Sequence, residues 1–140
     1  MLLRTVFCSL LLGVVSSELL SRCRLARDLR EAGIRYSLIP HWVCLAEAES
    51  GLNTSLRFGP YPGGYFRHGI FQIPSNNWCE VGRRGKKCNA KCEDLEGDNI
   101  VESIMCAIEI FAKHGFQAWE GWNAKCRGKP LPNILHCLRN

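Results

Sequence analysis

Nine cysteines are spread along a chain of only 140 residues, and what they bond to restricts the fold more than any other feature. The first, Cys8, lies in the segment 1–17, MLLRTVFCSLLLGVVSS. That segment has a basic start at Arg4, an apolar run over 6–15 and small residues at Ser16 and Ser17. These are the three parts of a secretory signal peptide, and the run is too short to cross a bilayer. Cleavage is expected between Ser17 and Glu18. Residues 1–17 are then a signal peptide, 18–140 form the one domain, and the destination is secreted and extracellular. Eight cysteines remain, an even number in an oxidising compartment, which implies four disulfides. Zinc is the competing use of Cys79, Cys88, Cys92 and Cys106. The Cys88-x3-Cys92 spacing is looser than the usual C-x2-C pair, and export works against free thiolates. No metal, no cofactor and no membrane partner is expected.

Between the cysteines the periodicity is mostly helical. Over 19–33, Leu25, Leu29 and Ala32 recur at helical spacing opposite Arg and Asp, and Gly33 is placed to end the helix in the left-handed region. Pro40 opens a second helix whose apolar side is Trp42, Val43, Leu45 and Ala46, and Gly51 closes it. The texture then changes. Gly59, Pro60, Pro62, Gly63 and Gly64 are turn residues, and 65–73 reads as strand and turn, a small sheet. Helical spacing returns with Ile100, Ile104, Ile108 and Phe111, started by an Asn99/Glu102 capping box and ended at Lys113, His114 and Gly115. A last helix is expected over 117–127, carrying Trp119 and Trp122. The fold class is α+β, helices segregated from one small antiparallel sheet.

The run Cys88-Asn-Ala-Lys-Cys92-Glu-Asp-Leu95-Glu-Gly-Asp-Asn99-Ile100, continuing to Cys106, resembles the cysteine signature of C-type lysozymes and α-lactalbumins. Gly69-Ile-Phe-Gln-Ile73 resembles the family's central strand, Asn77-Trp78-Cys79 its cleft tryptophan segment, and Gln117-Ala-Trp119-Glu-Gly-Trp122 its late helix. Cys23, Cys44, Cys126 and Cys137 fall where the remaining family cysteines fall, so the likeness covers essentially all of 18–140. It implies a C-type-lysozyme-like fold with a helical lobe, a small sheet lobe and a glycan-binding cleft between them. It also implies the pairs Cys23–Cys137, Cys44–Cys126, Cys79–Cys92 and Cys88–Cys106. The implied substrate-binding residues are Gln72, Trp78, Ala118 and Trp119. The implied ligand is a β-1,4-linked glycan such as peptidoglycan or a chitooligosaccharide, taken by a monomer.

Retaining hydrolysis of such a glycan, a chemistry for which this family is the type case, uses two carboxyl groups about 5–5.5 Å apart, one protonated and one ionised. Glu49 occupies the family's general-acid position, with Trp119 as the expected apolar wall that raises its pKa by disfavouring the charged form. Glu47, about 200° away around the helix, cannot substitute.

The second carboxylate is missing. Aligned on Gly69, its place is held by Arg67, and no Asp or Glu occurs anywhere over 50–79. A guanidinium repels the positive charge that develops on an oxocarbenium-like transition state, and it can pair with Glu49 and spoil the proton donor. Two further departures fall on the binding side. Pro74 stands where the resemblance implies a backbone N–H donor to a sugar acetamido group, and proline has none. Asn77 replaces one of two adjacent cleft tryptophans, leaving Trp78.

Other features are read more plainly. Glu93, Asp94, Glu96, Asp98 and Glu102 form a solvated acidic loop; the positions aligned with a calcium site in some relatives are Gly97, Glu102 and Ser103, with too few carboxylates for that ion. His68 is a strand histidine. Arg83, Arg84, Lys86 and Lys87 form a basic loop suited to polyanions, without the interleaved aromatics of a nucleic-acid surface, and no nucleic-acid partner is expected. Asn53-Thr54-Ser55 is a glycosylation acceptor. These readings converge on a secreted lysozyme-like protein with a glycan-binding cleft that hydrolyses weakly or not at all. The alternatives are a working muramidase with Glu49 as general acid, or a non-enzymatic module that modulates an unidentified protein partner.

Overall fold

The computed structural model describes residues 19–139; the segment expected to be a signal peptide, and its expected cleavage point, lie outside them. Among the described residues, four α-helices pack on one core. Helix α1 (Arg22–Glu31) is capped by Ser21, whose hydroxyl accepts from the Arg24 N–H, and it buries Leu25, Ala26 and Leu29. Ala32, expected on that face, is exposed beyond the helix end. The chain leaves through Gly33 at φ +88°, with the Ile34 N–H donating to the Leu29 carbonyl. The expected start at residue 19 is late in fact: Leu19 bridges to Asn53 and the helix begins three residues on.

Helix α2 (Ile39–Ser50) has Pro40 in its first turn and ends at Gly51 in the left-handed region. It is buried on both sides, through Trp42, Val43, Leu45 and Ala46, because every other layer packs on it. Trp42 is the hub, in edge-on contact with Phe71, Phe111, Phe116 and Trp119 at centroid distances of 5.1–5.7 Å.

The sheet lobe is small. Strands β1 (Arg57–Phe58), β2 (Arg67–His68) and β3 (Ile73–Pro74) form an antiparallel sheet in that order, and β4 (Cys79–Glu80) pairs in parallel with β5 (Ala90–Lys91). The turn between β2 and β3 contains Gly69 at φ +72°, where an added Cβ would sit 1.7 Å from the Leu95 carbonyl oxygen. Only glycine lets the two loops approach that closely.

Helix α3 (Val101–His114) buries Ile100 and Ile104 along the expected stripe, with Ile108 and Phe111 half-buried. The capping box does not form. Asn99 accepts from the Val101 N–H through its own carboxamide, while Glu102 turns outward to Arg84. The last expected helix is broken in two: a 3₁₀ turn (Phe116–Ala118), then α4 (Glu120–Lys125), with Trp119 extended between them at φ −105°, ψ 117°. The break swings the Trp119 indole inward, where its N–H donates to the Phe71 carbonyl at 2.9 Å. Four disulfides, Cys23–Cys137, Cys44–Cys126, Cys79–Cys92 and Cys88–Cys106, staple these elements. The first closes a separation of 114 residues, the case in which chain-entropy arguments give a crosslink its largest effect.

Candidate glycan-binding cleft

A cleft of about 310 Å³ runs between the helices and the three-stranded sheet. Its helical wall is built from the end of α2 and the start of α4. Ser50, the last residue of α2, holds that end against the sheet: its hydroxyl lies 2.7 Å from the Ile70 carbonyl and 2.9 Å from that of Ala46. Glu49, one residue earlier, therefore projects into the cleft from a fixed base. Its Oε1 accepts from the Gly121 N–H at 2.9 Å.

Burial pushes the Glu49 carboxyl above its ordinary pKa, and Glu120 pushes in the same direction. The Gly121 N–H and the charges of Arg67 and Lys125 pull it down without overcoming burial. The net direction, upward, is the one that proton donation favours.

Trp119, 5% exposed, and Ala118, exposed, line the same wall. Trp78 is buried, its ring between the Lys87 ammonium at 5.1 Å and the edge of His114 at 5.9 Å. Gln72 borders the cleft floor, but its side-chain N–H₂ is turned inward to the carbonyls of Leu56 and Gly69. As a donor to a ligand it is already occupied.

The sheet wall carries Arg67 on β2, directly opposite Pro74 on β3. The guanidinium lies over the Tyr61 ring, 4.3 Å from its centroid, and Tyr61 in turn stacks on Tyr65 at 5.2 Å. Burial works against the charge on Arg67, but Tyr65, Tyr61 and Glu120 outweigh it and its pKa moves up. Pairing with Glu49, expected as one outcome, does not occur. Among the described residues no carboxylate oxygen comes within ion-pair distance of Arg67.

A carboxylate of the cleft escaped the sequence reading, as did the lining residues Tyr65, Asn76, Ile110 and His114. Glu120 lines the cleft beside Trp119 and Gly121, so a second carboxylate is present, but it comes from the helical wall that already holds Glu49 and not from the sheet. Its position immediately after Trp119 was the available signal; a helix drawn straight through 117–127 concealed it.

The remaining charged groups are less free than their clustering suggests. Glu93 accepts from the Gly82 N–H, Glu96 holds the buried His68 Nδ1 at 2.8 Å, and Asp98 accepts from the Thr54 hydroxyl. The acidic loop is therefore not simply solvated. In the basic loop, Arg83 pairs with Glu80, Arg84 with Glu102, and Lys86 donates to the Ser75 carbonyl. Asn53 spends its carboxamide oxygen on the Ser55 N–H, and the adjacent Thr54 is buried.

Helices packed beside a small sheet, four crosslinks and a cleft bearing a half-buried glutamate of raised pKa define a lysozyme-fold protein. The chain belongs to the C-type lysozyme/α-lactalbumin family, whose model matches residues 18–137. It is 38% identical over 139 residues to lysozyme c-1 of Anopheles gambiae, covering 95% of this chain and 99% of that one. It is 42% identical over 118 residues to a lysozyme of Bombyx mori, covering 84% and 85%. The crystal structure of lysozyme from Equus asinus superposes with a TM-score of 0.73 at 33% identity, covering 81% of this chain and 92% of that one.

Proposed function

We propose that this is a secreted lysozyme-like protein whose cleft binds a β-1,4-linked glycan, such as peptidoglycan or a chitooligosaccharide, and hydrolyses it weakly or not at all. The observation that carries the reading is the guanidinium of Arg67 on the sheet wall, facing a cleft whose carboxylates are both on the helical wall. A sugar cation forming in the cleft needs negative charge on the face away from the proton donor. Two unit charges 4 Å apart interact by about 4 kcal/mol at an effective dielectric of 20, so a reversed sign there is a large penalty on the transition state. Glu120 does not repair it, because it flanks Glu49 through Gly121 instead of opposing it.

The second reading is a working muramidase with Glu49 as general acid. The upward shift of the Glu49 pKa favours it, since burial moves the group in the direction a proton donor needs.

Turbidity clearing of bacterial cell walls by the purified protein, beside a Glu49→Gln control, separates the two. The expected result is little clearing with measurable binding of soluble chitooligosaccharide. Robust clearing that Glu49→Gln abolishes would establish the muramidase instead.

A further inference from the structure

The pairing register puts two changes at one spot. Arg67 and Pro74 are cross-strand partners on the sheet wall of the cleft. Proline offers no main-chain N–H, so the β3 side has no backbone donor at that point. The β2 side supplies a guanidinium, a rigid planar fork of N–H donors. A neutral sugar substituent loses a partner here, and an oxyanion gains one.

Three features suit that fork to an external ligand. No described carboxylate lies within ion-pair distance of it, so the place of a direct anionic partner is open. The fork does not sweep through solvent, because the face of Tyr61 supports it at 4.3 Å and Tyr65 backs Tyr61. Finally, the cleft is polarised: Glu49 and Glu120 occupy the helical wall and Arg67 the sheet wall. An anionic group entering the cleft is repelled from one side and drawn to the other, which fixes its orientation.

We infer that Arg67 forms an anion subsite, selecting a hexosamine-containing glycan that carries a carboxylate on one of its sugars. The guanidinium donates two N–H bonds to that carboxylate in a charge-assisted contact. This inference rests on the glycan-binding reading of the cleft and specifies its substrate class. A sugar-borne carboxylate can come from a uronic acid ring or from the lactyl ether of muramic acid, and separate probes distinguish them.

The test is calorimetric titration of the intact protein at low salt with three tetrasaccharides. These are neutral chitotetraose, a hyaluronan tetrasaccharide bearing glucuronic acid, and an N-acetylglucosamine–N-acetylmuramic acid tetrasaccharide with its lactyl groups free. At least one acidic ligand is expected to bind about tenfold to a hundredfold tighter than chitotetraose, the range for a hydrogen-bonded charge. That preference should shrink as salt rises. Arg67→Ala should erase the preference, read as the ratio of acidic-ligand to chitotetraose affinity within the same variant, while Arg67→Lys, charged but without the fork, should retain part of it. Should Arg67→Ala lose its native near-ultraviolet dichroism, Arg67→Met keeps a stem over Tyr61 and serves instead.

Chitotetraose binding with no acidic preference, or a preference that survives Arg67→Ala, overturns the subsite and leaves the glycan cleft standing. Failure of all three ligands to bind overturns both.

Discussion

The backbone N–H of Gly121 donates to Glu49 at 2.9 Å, and a side chain at residue 121 would crowd the carboxyl it holds. A Cβ there would lie 2.8 Å from Glu49 Oε1 and 3.1 Å from its carboxyl carbon. The same contact ties α4 to the end of α2 and sets where the cleft's principal acid points.

Gly121→Ala should therefore displace Glu49 and break that hydrogen bond. The bond lowers the Glu49 pKa, so its loss moves the pKa further upward. Stability should change by no more than about 1 kcal/mol, because the crowded atom is the free end of the Glu49 side chain and alanine is the better helix former. Carbon-detected NMR titration of the Glu49 carboxyl and a urea melt read the two effects; an unmoved titration would mean the N–H contact does not govern the acid.

Arg67→Asp returns a carboxylate to the sheet wall. Wall-clearing activity should rise by about tenfold or more, since the transition-state charge then meets attraction instead of repulsion. Removing the guanidinium and adding a negative charge should also raise the Glu49 pKa, because Arg67 now pulls it down. No gain in clearing would indicate that the cleft is impaired elsewhere, with Pro74 the first place to look.

The Glu49 shift has a pH signature of its own. A carboxyl whose pKa is raised by folding binds more protons in the native state than in the unfolded one, so stability declines as pH rises from the unfolded pKa through the folded one. Glu49→Gln keeps an acceptor for Gly121 but cannot ionise. Its melting temperature should exceed the wild type's near neutral pH, with the advantage shrinking under acid conditions. A constant offset at every pH would count against burial as the cause of the shift.

Trp119→Phe preserves most of the buried ring but deletes the indole N–H that meets the Phe71 carbonyl. An unpaired buried acceptor costs about 1–3 kcal/mol, measurable by denaturant unfolding. The loss should also loosen the helical wall, seen as faster amide exchange at Gly121; an unchanged exchange rate would show that α4 is held by other contacts.

The helices were legible because their signals are local. Pro40 and Gly51 bracket α2 by the conformations proline and glycine allow, and the stripe through Ile100 and Ile104 marks the inner face of α3. The misreadings share one cause, a distant partner outcompeting a local preference. Glu102, spaced to cap α3, is drawn to Arg84 across 18 residues. Trp119, spaced to continue a helix, leaves it so that its N–H can reach Phe71 across 48 residues.

By itself the sequence determined what chemistry each position can offer. Pro74 has no hydrogen to donate in any fold, Arg67 carries a positive charge in any fold, and 50–79 contains no acid. Tertiary structure alone decided which of these groups meet. It laid Arg67 on Tyr61 and away from Glu49, brought Glu120 into the cleft, and seated Glu49 on the Gly121 N–H. Hydrogen-bonding capacity and charge belong to a residue, but burial and pairing depend on which remote segments the packed core brings within a few ångströms, and that is settled by the whole chain at once.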